Sequence, residues 1–399
     1  MLTYLTAGES HGPQLTTIID GLPSGLHIDI DKLNFQLARR QKGYGRGGRM
    51  KIETDKAEIL SGIRNSFTIG SPITLAVKNK DYENWTKIMH PINPIADDLN
   101  LKEKRLAFET TTPRPGHADL AGGIKLNHKD FRNILERASA RETAARVAVG
   151  SLARQFLEHF DIQIASHVIS IGDVSLPDNI QIDDIQKLRD ITEESEVRCI
   201  DKATEEKFIL TIKDAKKKRD SLGGVAEIIV TGLPVGLGGF SQPEHRLDSL
   251  LAAAIIAVPS VKAFEMGTGF KSAKMLGSEV HDEIFYKKGS NQKKKDFYRT
   301  SNTAGGIEGG MTNGENLIIR ASAKPISTLN KPLKTVNVAT KEPAEAMVER
   351  TDNCVVPAMG VVCESAVALV LANAFLQKFG SDNISEIEKN FQSYLDTSY

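Results

Sequence analysis

The segment Gly8-Glu-Ser-His-Gly12 places a hydroxyl and an imidazole, Ser10 and His11, in a compact polar turn after a short predicted strand, Leu2–Thr6. Such a turn could hold catalytic side chains. The string also matches the Gly-x-Ser-x-Gly turn of hydrolases, but that motif requires a helix after the turn, and the strand-like run Gln14–Ile19 follows here. The hydrolase interpretation is therefore weak, and an ordinary surface turn is the alternative to a catalytic one.

A second histidine lies in the loop Thr112–Asp119, which contains Arg114, His117 and Asp119. The two prolines and the glycine of this loop predict a rigid backbone, and a rigid loop can hold an acid–base group in place. The alternative is that His117 is a structural residue and that Asp119 only makes a turn hydrogen bond.

Two further segments precede predicted helices. Ser139-Ala-Arg-Glu142 is a capping-box sequence, so Ser139 has a sufficient structural role as the N-cap of a helix over Ala140–Leu157. The same helix start could bind an anion through its N–H groups, with Arg137 adding a charge. In Arg350-Thr-Asp352, an ionised Asp352 near an anionic ligand would be repelled unless it acts as a base or orients another group.

Basic residues are concentrated in the glycine-rich loop Arg39–Arg49, which includes Arg40, Arg46 and Arg49. Arginine forms bidentate bonds to phosphate and carboxylate, and glycine lets the backbone move or approach a ligand closely. A nucleic-acid-binding protein would use the same residue types, and the lysine-rich stretch Lys287–Lys295, predicted to be a mobile loop, adds to that alternative. The formal net charge of zero, from 51 basic and 51 acidic residues, argues against nucleic acid as a partner.

Apolar helices predict how these segments are positioned. Leu247–Ala257 and Ser365–Leu376 are apolar on almost every side, so helices should be enclosed between sheets. The predicted strands are separated by glycine-rich turns rather than by regular strand–helix alternation, which favours antiparallel pairing. The expected fold class is α+β, with a helix layer sandwiched between mostly antiparallel sheets.

Short motifs recur in the same order in the two halves of the chain. Gly21-Leu-Pro-Ser-Gly25 is matched by Gly232-Leu-Pro-Val-Gly236, and two Glu-Arg pairs, which end in Arg137 and Arg350, each precede a long apolar helix. A single domain, 1–399, is therefore predicted, with pseudo-twofold duplicated halves of about 1–160 and 222–399 and an insertion at 161–221. That symmetry would bring Arg137 and Arg350 to a shared cleft. Recurrent turns are the alternative explanation.

The 399-residue composition is typical of a soluble, intracellular protein. The three cysteines are odd in number and lack metal-ligand spacing, which favours neither a disulfide framework nor a zinc site. The longest apolar run is far shorter than the roughly 20 residues needed to span a bilayer, and no signal-peptide pattern is present. We therefore expect a cytoplasmic protein with no metal and no membrane association.

Taken together, three motifs resemble those of the chorismate synthase family: Gly8-Glu-Ser-His-Gly12, Glu136-Arg-Ala-Ser-Ala-Arg-Glu-Thr143, and Arg350-Thr-Asp352 continuing to Cys363-Glu-Ser365. Arg114-Pro-Gly-His-Ala-Asp119 and the Arg39–Arg49 loop match as well, so the resemblance spans nearly the whole chain. It implies conversion of 5-enolpyruvylshikimate 3-phosphate to chorismate by a 1,4-elimination of phosphate, with reduced FMN as cofactor and no net redox change. It also implies a homotetramer and the helix sandwich expected above.

The resemblance further implies roles for individual residues. His11 would protonate the departing phosphate, His117 would stabilise or protonate the anionic reduced flavin, and Asp352, aided by Ser10, would assist proton movement. The arginines that would bind the substrate or the flavin phosphate are Arg40, Arg46, Arg49, Arg137 and Arg350. The other flavin contacts that the resemblance implies are Ala138, Ser139, Pro259, Ser260, Gly309, Lys324, Pro325, Ile326, Ser327 and Thr328.

The resemblance places the nicotinamide phosphate donor, NADPH, near Arg40 and Arg46. No Gly-x-Gly-x-x-Gly fingerprint stands within a strand–helix unit, which favours an external flavin reductant. The chain departs from the family pattern at Thr351, at Asn353 and at Pro259-Ser260, where Asn-Ala is usual. Of the contacts that the resemblance implies, those of Pro259 and Ser260 with the flavin are the ones that these departures weaken.

Overall fold

The structure, a computed structural model, describes residues 1–47, 54–92, 110–180, 184–349 and 351–397. Arg49 and Arg350 lie outside the described residues. The α-helices are α1 Ile30–Gln41, α2 Asp119–Leu126, α3 Arg132–Leu135, α4 Thr143–His159, α5 Ile185–Glu194, α6 Lys202–Lys217, α7 Leu247–Ile256, α8 Gly277–Val280, α9 Val356–Phe379 and α10 Ile384–Asp396. The strands are β1 Thr3–Ala7, β2 Gln14–Asp20, β3 Ala57–Ile59, β4 Ile63–Arg64, β5 Phe67–Thr68, β6 Ile73–Lys78, β7 Gln163–Ile171, β8 Val174–Ser175, β9 Gly224–Thr231, β10 Val261–Met266, β11 Ile284–Tyr286, β12 Phe297–Arg299, β13 Ile307–Glu308, β14 Met311–Thr312, β15 Leu317–Ala323, β16 Lys334–Val336 and β17 Pro343–Glu345.

The first sheet has the order β1-β2-β6-β3, and its strand pairs are antiparallel. Alternate residues of β2, among them Leu15 and Ile19, are buried, while Ile18 on the opposite face is exposed, as the two-residue period of a strand requires. The turn from β1 to β2 depends on Gly8, whose φ is +107° and where a Cβ atom would lie 2.4 Å from the carbonyl oxygen of Gln14. This turn carries Ser10 and His11.

The second sheet has the order β10-β15-β9-β7-β8, and it is also antiparallel. Its strand β7 lies within residues 161–221, the segment that the sequence suggests is an insertion, yet β7 pairs along its length with β9. Helices α5 and α6, from the same segment, pack against β7. At least the first part of this segment therefore belongs to the second sheet.

A helix layer lies between the two sheets and contains the apolar helices predicted from the sequence. Helix α4 packs against β2 and β6 of the first sheet, α9 packs against β7 and β9 of the second, and the two helices pack against each other. The predicted α+β sandwich is confirmed. By length and hydropathy α9 could cross a membrane, but 83% of its most apolar 18-residue window is buried inside the protein.

The lysine-rich stretch is the loop between β11 and β12, which form a hairpin. Lys293 Nζ donates a hydrogen bond to the carbonyl oxygen of Phe160 (2.9 Å), Lys294 pairs with Glu315 (2.6 Å), and Lys295 Nζ donates to the carbonyl oxygen of Tyr394. These contacts hold the loop against the rest of the protein, in contrast to the prediction of a mobile segment.

Candidate active site

A cavity of about 370 Å³ is lined by segments from both halves of the chain. The turn after β1, the end of α1, the residues before α4, the start of β10 and the residues after β15 all contribute to it. The predicted site residues that line it are Ser10, His11, Arg40, Arg46, His117, Ala138, Ser139, Pro259, Ser260, Lys324, Ile326, Ser327, Thr328 and Asp352.

Three of the predicted site residues that the structure describes do not line this cavity. The guanidinium of Arg137 donates instead to the carbonyl oxygens of Gly8 (3.1 Å) and Thr6 (2.8 Å), so it ties the β1–β2 turn to the segment before α4. Gly309 lies in the turn between β13 and β14, and Pro325 lies between lining residues without lining the cavity itself.

His11 is held by a buried carboxylate from another part of the chain. Its Nδ1 lies 2.9 Å from Glu136 Oε1, and its backbone N–H donates to Glu136 Oε2 at 2.8 Å. Burial by itself would raise the pKa of Glu136, but its hydrogen bonds and charge interaction with His11, together with the charge of Arg132, lower that pKa. Glu136 is therefore an ionised partner for the imidazole.

His117 has the same kind of partner within its own loop. Its Nδ1 lies 2.5 Å from Asp119 Oδ1, and Arg114 donates to the same carboxylate through Nε (2.8 Å) and Nη2 (3.0 Å). Asp119 also accepts from the backbone N–H of Arg114 at 3.1 Å, so the turn bond considered from the sequence coexists with the histidine contact. The hydrogen bonds from His117 and Arg114 lower the pKa of Asp119 against the effect of burial.

Glu349 lies between these two groups. Its carboxylate oxygens are 3.6 Å from Arg114 Nη1 and 3.9 Å from Arg132 Nη1, and Arg132 also lies 3.3 Å from Glu136. The histidine on each side of the cavity therefore belongs to one connected set of charged side chains.

A pair of buried arginines, Arg40 and Arg141, lines the cavity beside Ser10. Asp55 binds both, with Oδ2 at 2.7 Å from Arg40 Nη2 and Oδ1 at 2.6 Å from Arg141 Nη1, while Asn79 accepts from Arg141 Nε at 2.8 Å. Burial lowers the pKa of Arg40 to about 10, and Arg141 and Arg46 add to this effect while Asp55 opposes it. Arg40 Nε is buried without a hydrogen-bond partner. An anion in the cavity would satisfy that donor and relieve the repulsion among the cations.

The glycine-rich loop after α1 contacts the third motif. Asp352 Oδ1 accepts from the backbone N–H of Gly47 at 2.5 Å, and Asp352 Oδ2 lies 3.2 Å from Arg46 Nη1. A Cβ atom at position 47 would lie 2.8 Å from the carbonyl oxygen of Thr351, so the close approach requires glycine. Because Arg39 and Arg40 are buried and Arg46 lines the cavity, these three cations do not form an exposed basic surface for nucleic acid.

Ser139 has the capping role that its motif predicts. Its Oγ accepts from the backbone N–H of Arg141 at 3.2 Å, at the start of a 3-10 turn, Ala140–Glu142, that leads directly into α4. The same hydroxyl lies 3.1 Å from Ser10 Oγ. The cap therefore connects the helix start to the His11 turn.

Several functional side chains were not identified from the sequence. Arg141 stands inside the capping motif, where its spacing from Ser139 was the signal that could have revealed it. Asp55, Asn79 and Trp85 belong to no motif, and only the fold brings them into contact with Arg40, Arg141 and His11, which line the cavity. Within the described ranges, no group of three or more His, Cys, Asp or Glu side chains could hold a metal ion.

Comparisons with known proteins agree with these features. A sequence model of the chorismate synthase family matches residues 2–376. The chorismate synthase of Alkaliphilus metalliredigens (strain QYMF) is 51% identical over 394 residues, 99% of each chain, and that of Bacillus subtilis (strain 168) is 50% identical over 392 residues, 98% of each chain. A crystal structure of a chorismate synthase superposes with a TM-score of 0.77 at 37% identity, covering 99% of this chain and 97% of the other. Because the similarity extends over nearly the whole sequence and fold, this chain belongs to the chorismate synthase family and is a lyase.

Proposed function

We propose that this enzyme converts 5-enolpyruvylshikimate 3-phosphate to chorismate and inorganic phosphate, and that it requires reduced FMN. The observation that carries the proposal is the charge of the cavity. Among its described lining residues, Arg40, Arg46, Arg114, Arg141 and Lys324 are fixed cations, whereas Glu349 and Asp352 are the carboxylates. Asp55 and Asp119, which do not line the cavity, hold three of these arginines in place. A substrate with one phosphate and two carboxylates supplies anionic groups that the cations at the cavity wall can bind.

The reaction breaks a carbon–oxygen bond to phosphate and removes one hydrogen from the ring, so a proton must reach the departing phosphate. Arg40 and Arg141, which Asp55 holds in place, would bind phosphate as a pair of guanidinium groups. His11, hydrogen-bonded to Glu136, would deliver the proton. Ser10 precedes His11 in the chain, and its hydroxyl contacts Ser139, which accepts from the backbone N–H of Arg141.

The residues present fit a flavin as well as a substrate. The unpartnered, buried Nε of Arg40 calls for an anionic group such as a phosphate. Ala138, Ser139, Pro259, Ser260, Lys324, Ile326, Ser327 and Thr328 would contact FMN, and His117 would stabilise the anionic reduced ring. Reduced FMN, when bound, would supply the transient electron donation that cleavage of the carbon–oxygen bond needs, with no net redox change. Pro259 and Ser260, where the chain departs from the family pattern, both line the cavity, and Ser260 has a φ of +72°.

We also propose that Asp352, held by Arg46 and Gly47, assists proton movement together with Ser10. Arg40 and Arg46 would be the contacts of NADPH, with an external protein or reagent as the flavin reductant. A homotetramer in the cytoplasm completes the proposal, and the three buried, unpaired cysteines suit a reducing compartment.

A direct assay tests the proposal. Purified protein is mixed anaerobically with 5-enolpyruvylshikimate 3-phosphate and dithionite-reduced FMN, and both phosphate and chorismate are measured. We expect equal amounts of the two products, no products with oxidised FMN, and many turnovers per flavin because no net oxidation occurs. Phosphate release without chorismate, or equal rates with oxidised FMN, would contradict the proposal.

A further inference from the structure

His11 contacts an aromatic ring and a buried carboxylate. Its imidazole stacks on the indole of Trp85, with ring centroids 4.0 Å apart and an angle of 26° between the planes. Glu136, only 2% exposed, binds both the ring Nδ1 and the backbone N–H of His11. The stacking sets the plane of the imidazole, and the carboxylate sets its rotation within that plane.

Other charged groups surround this arrangement. Asp81, from the segment after β6, places Oδ2 4.0 Å from His11 Nε2. Arg132, from α3, lies 3.3 Å from Glu136 and stacks over Trp85 at 5.1 Å, and Glu349 lies 3.9 Å from Arg132 on its other side. Glu9, in the same turn as His11, is exposed. Glu136 is hydrogen-bonded to the ring through Nδ1.

We propose that Glu136 is a positioning residue that, together with Trp85, makes His11 the acid of the reaction. The carboxylate accepts a hydrogen bond from Nδ1–H and stabilises the doubly protonated ring, and the ring gives its Nε2 proton to the departing phosphate. After that transfer the neutral ring keeps its remaining proton on Nδ1, still bound to Glu136. This inference rests on the role of His11 in the proposed function.

Trp85 makes the proposal measurable, because it is the single tryptophan of the chain. A stacked imidazole changes the fluorescence of an indole, so the tryptophan emission of the flavin-free protein at one fixed pH reports whether His11 keeps its place on Trp85. His11→Asn should change this emission, because the stacked ring is gone. Glu136→Gln should change it in the same direction, because the imidazole loses the charge-assisted hydrogen bond that fixes it.

The matched control is Glu9→Gln, which removes one negative charge from the same turn at an exposed position. Its emission should match that of the wild type, because the exposed Glu9 side chain does not hold the ring. Glu136→Asp, which keeps the charge, should restore most of the wild-type emission. A wild-type emission in Glu136→Gln, with the emission still changed in His11→Asn, would overturn the proposal.

A second measurement needs no variant at Glu136 and applies even if that variant does not fold. In wild-type protein with ¹⁵N-labelled histidine, the His11 signals are identified by their loss in His11→Asn. In the neutral ring we expect the proton on Nδ1, beside Glu136, and a proton on Nε2 instead would overturn the proposal. Neither measurement uses substrate or flavin, so the failure of this inference and the failure of the proposed reaction are distinguishable.

Discussion

His11 and His117 each share a carboxylate with an arginine, but the two groups are assembled differently. Asp119 stands two residues after His117, so a short proline-containing loop is enough to form that pair. Glu136 is 125 residues from His11, so that pair exists only because β1, β2 and the segment before α4 fold against one another. At the scale of single residues, the same chemical arrangement is local on one side of the cavity and long-range on the other.

Replacing either histidine should remove an acid–base group while leaving the fold intact. We expect His11→Ala and His117→Ala each to lower kcat by roughly a hundredfold or more. Steady-state phosphate release with reduced FMN measures the effect. His159→Ala is the matched control, because His159 pairs with Glu388 and does not line the cavity, and its turnover should be near that of wild type. Near-normal turnover in both cavity variants would contradict the assigned roles.

At the scale of elements, the crossing of α4 and α9 holds the helix layer together. The two helices approach so closely at Gly150 that a Cβ atom there would lie 2.4 Å from Ser365 Cβ and 2.8 Å from Ser365 Cα. The side chains around the crossing are buried, so neither helix can move away without opening a cavity in the core.

Gly150→Ala should therefore destabilise the protein although alanine is the better helix former. We expect the free energy of unfolding to fall by about 1–3 kcal/mol from overpacking, partly offset by about 1 kcal/mol of helix propensity. Urea denaturation measures the change. The double variant Gly150→Ala/Ser365→Gly lacks the nearest opposing atom, the Cβ of Ser365. Its loss of unfolding free energy should be smaller than the sum of the losses in the two single variants. Strictly additive losses would show that the two positions do not clash.

At the scale of the whole molecule, a buried carboxylate links the helix layer to the second sheet. Glu364, on α9, accepts hydrogen bonds from Arg39 of α1 (2.6 and 2.9 Å), Arg154 of α4 (2.6 Å) and Ser166 of β7 (2.6 Å). Burial would raise the pKa of Glu364, but Arg39 and Arg154, with a further contribution from Arg198, lower it strongly. One ionised group thus joins elements from distant parts of the sequence.

This arrangement predicts an acid-sensitive fold. The pKa values of Glu364, Glu136, Asp55 and Asp119 are all lowered in the folded protein, so their stabilisation is complete above the unfolded carboxyl range near pH 4 and is lost as pH falls through the lowered values. We expect these four groups to add no pH dependence to the stability between about pH 6 and 8 and to make it fall below about pH 5. Urea unfolding at a series of pH values, at one protein concentration, tests this.

Glu364→Gln should lower the free energy of unfolding at pH 7 by about 3–5 kcal/mol, because it leaves buried arginines without their anion. In the same variant, the free energy of unfolding should fall less steeply as the pH is lowered below about 5. Glu388→Gln, at an exposed position, is the control and should change neither quantity. A wild-type acid profile in Glu364→Gln would contradict the role assigned to this carboxylate.

The sequence by itself determined the features that depend on neighbouring residues. The apolar character of α7 and α9 predicted the enclosed helix layer, the Ser139 motif predicted the helix start, and the motif around His117 contains Arg114 and Asp119, which contact its ring. In each case the physical cause acts within a few residues, through helical period, capping or a rigid turn, so it is visible in the order of the amino acids.

Only the tertiary structure decided which distant residues meet. Asp55 joins Arg40 to Arg141, Glu136 and Trp85 enclose His11, and β7 pairs inside a sheet although its segment was predicted to be an insertion. Arg137 donates to the carbonyl oxygens of Gly8 and Thr6, at the first turn. These contacts join positions far apart in the chain, and nothing in the local pattern of charge or hydropathy specifies which partner a buried polar group finds when the two sheets close over the helices.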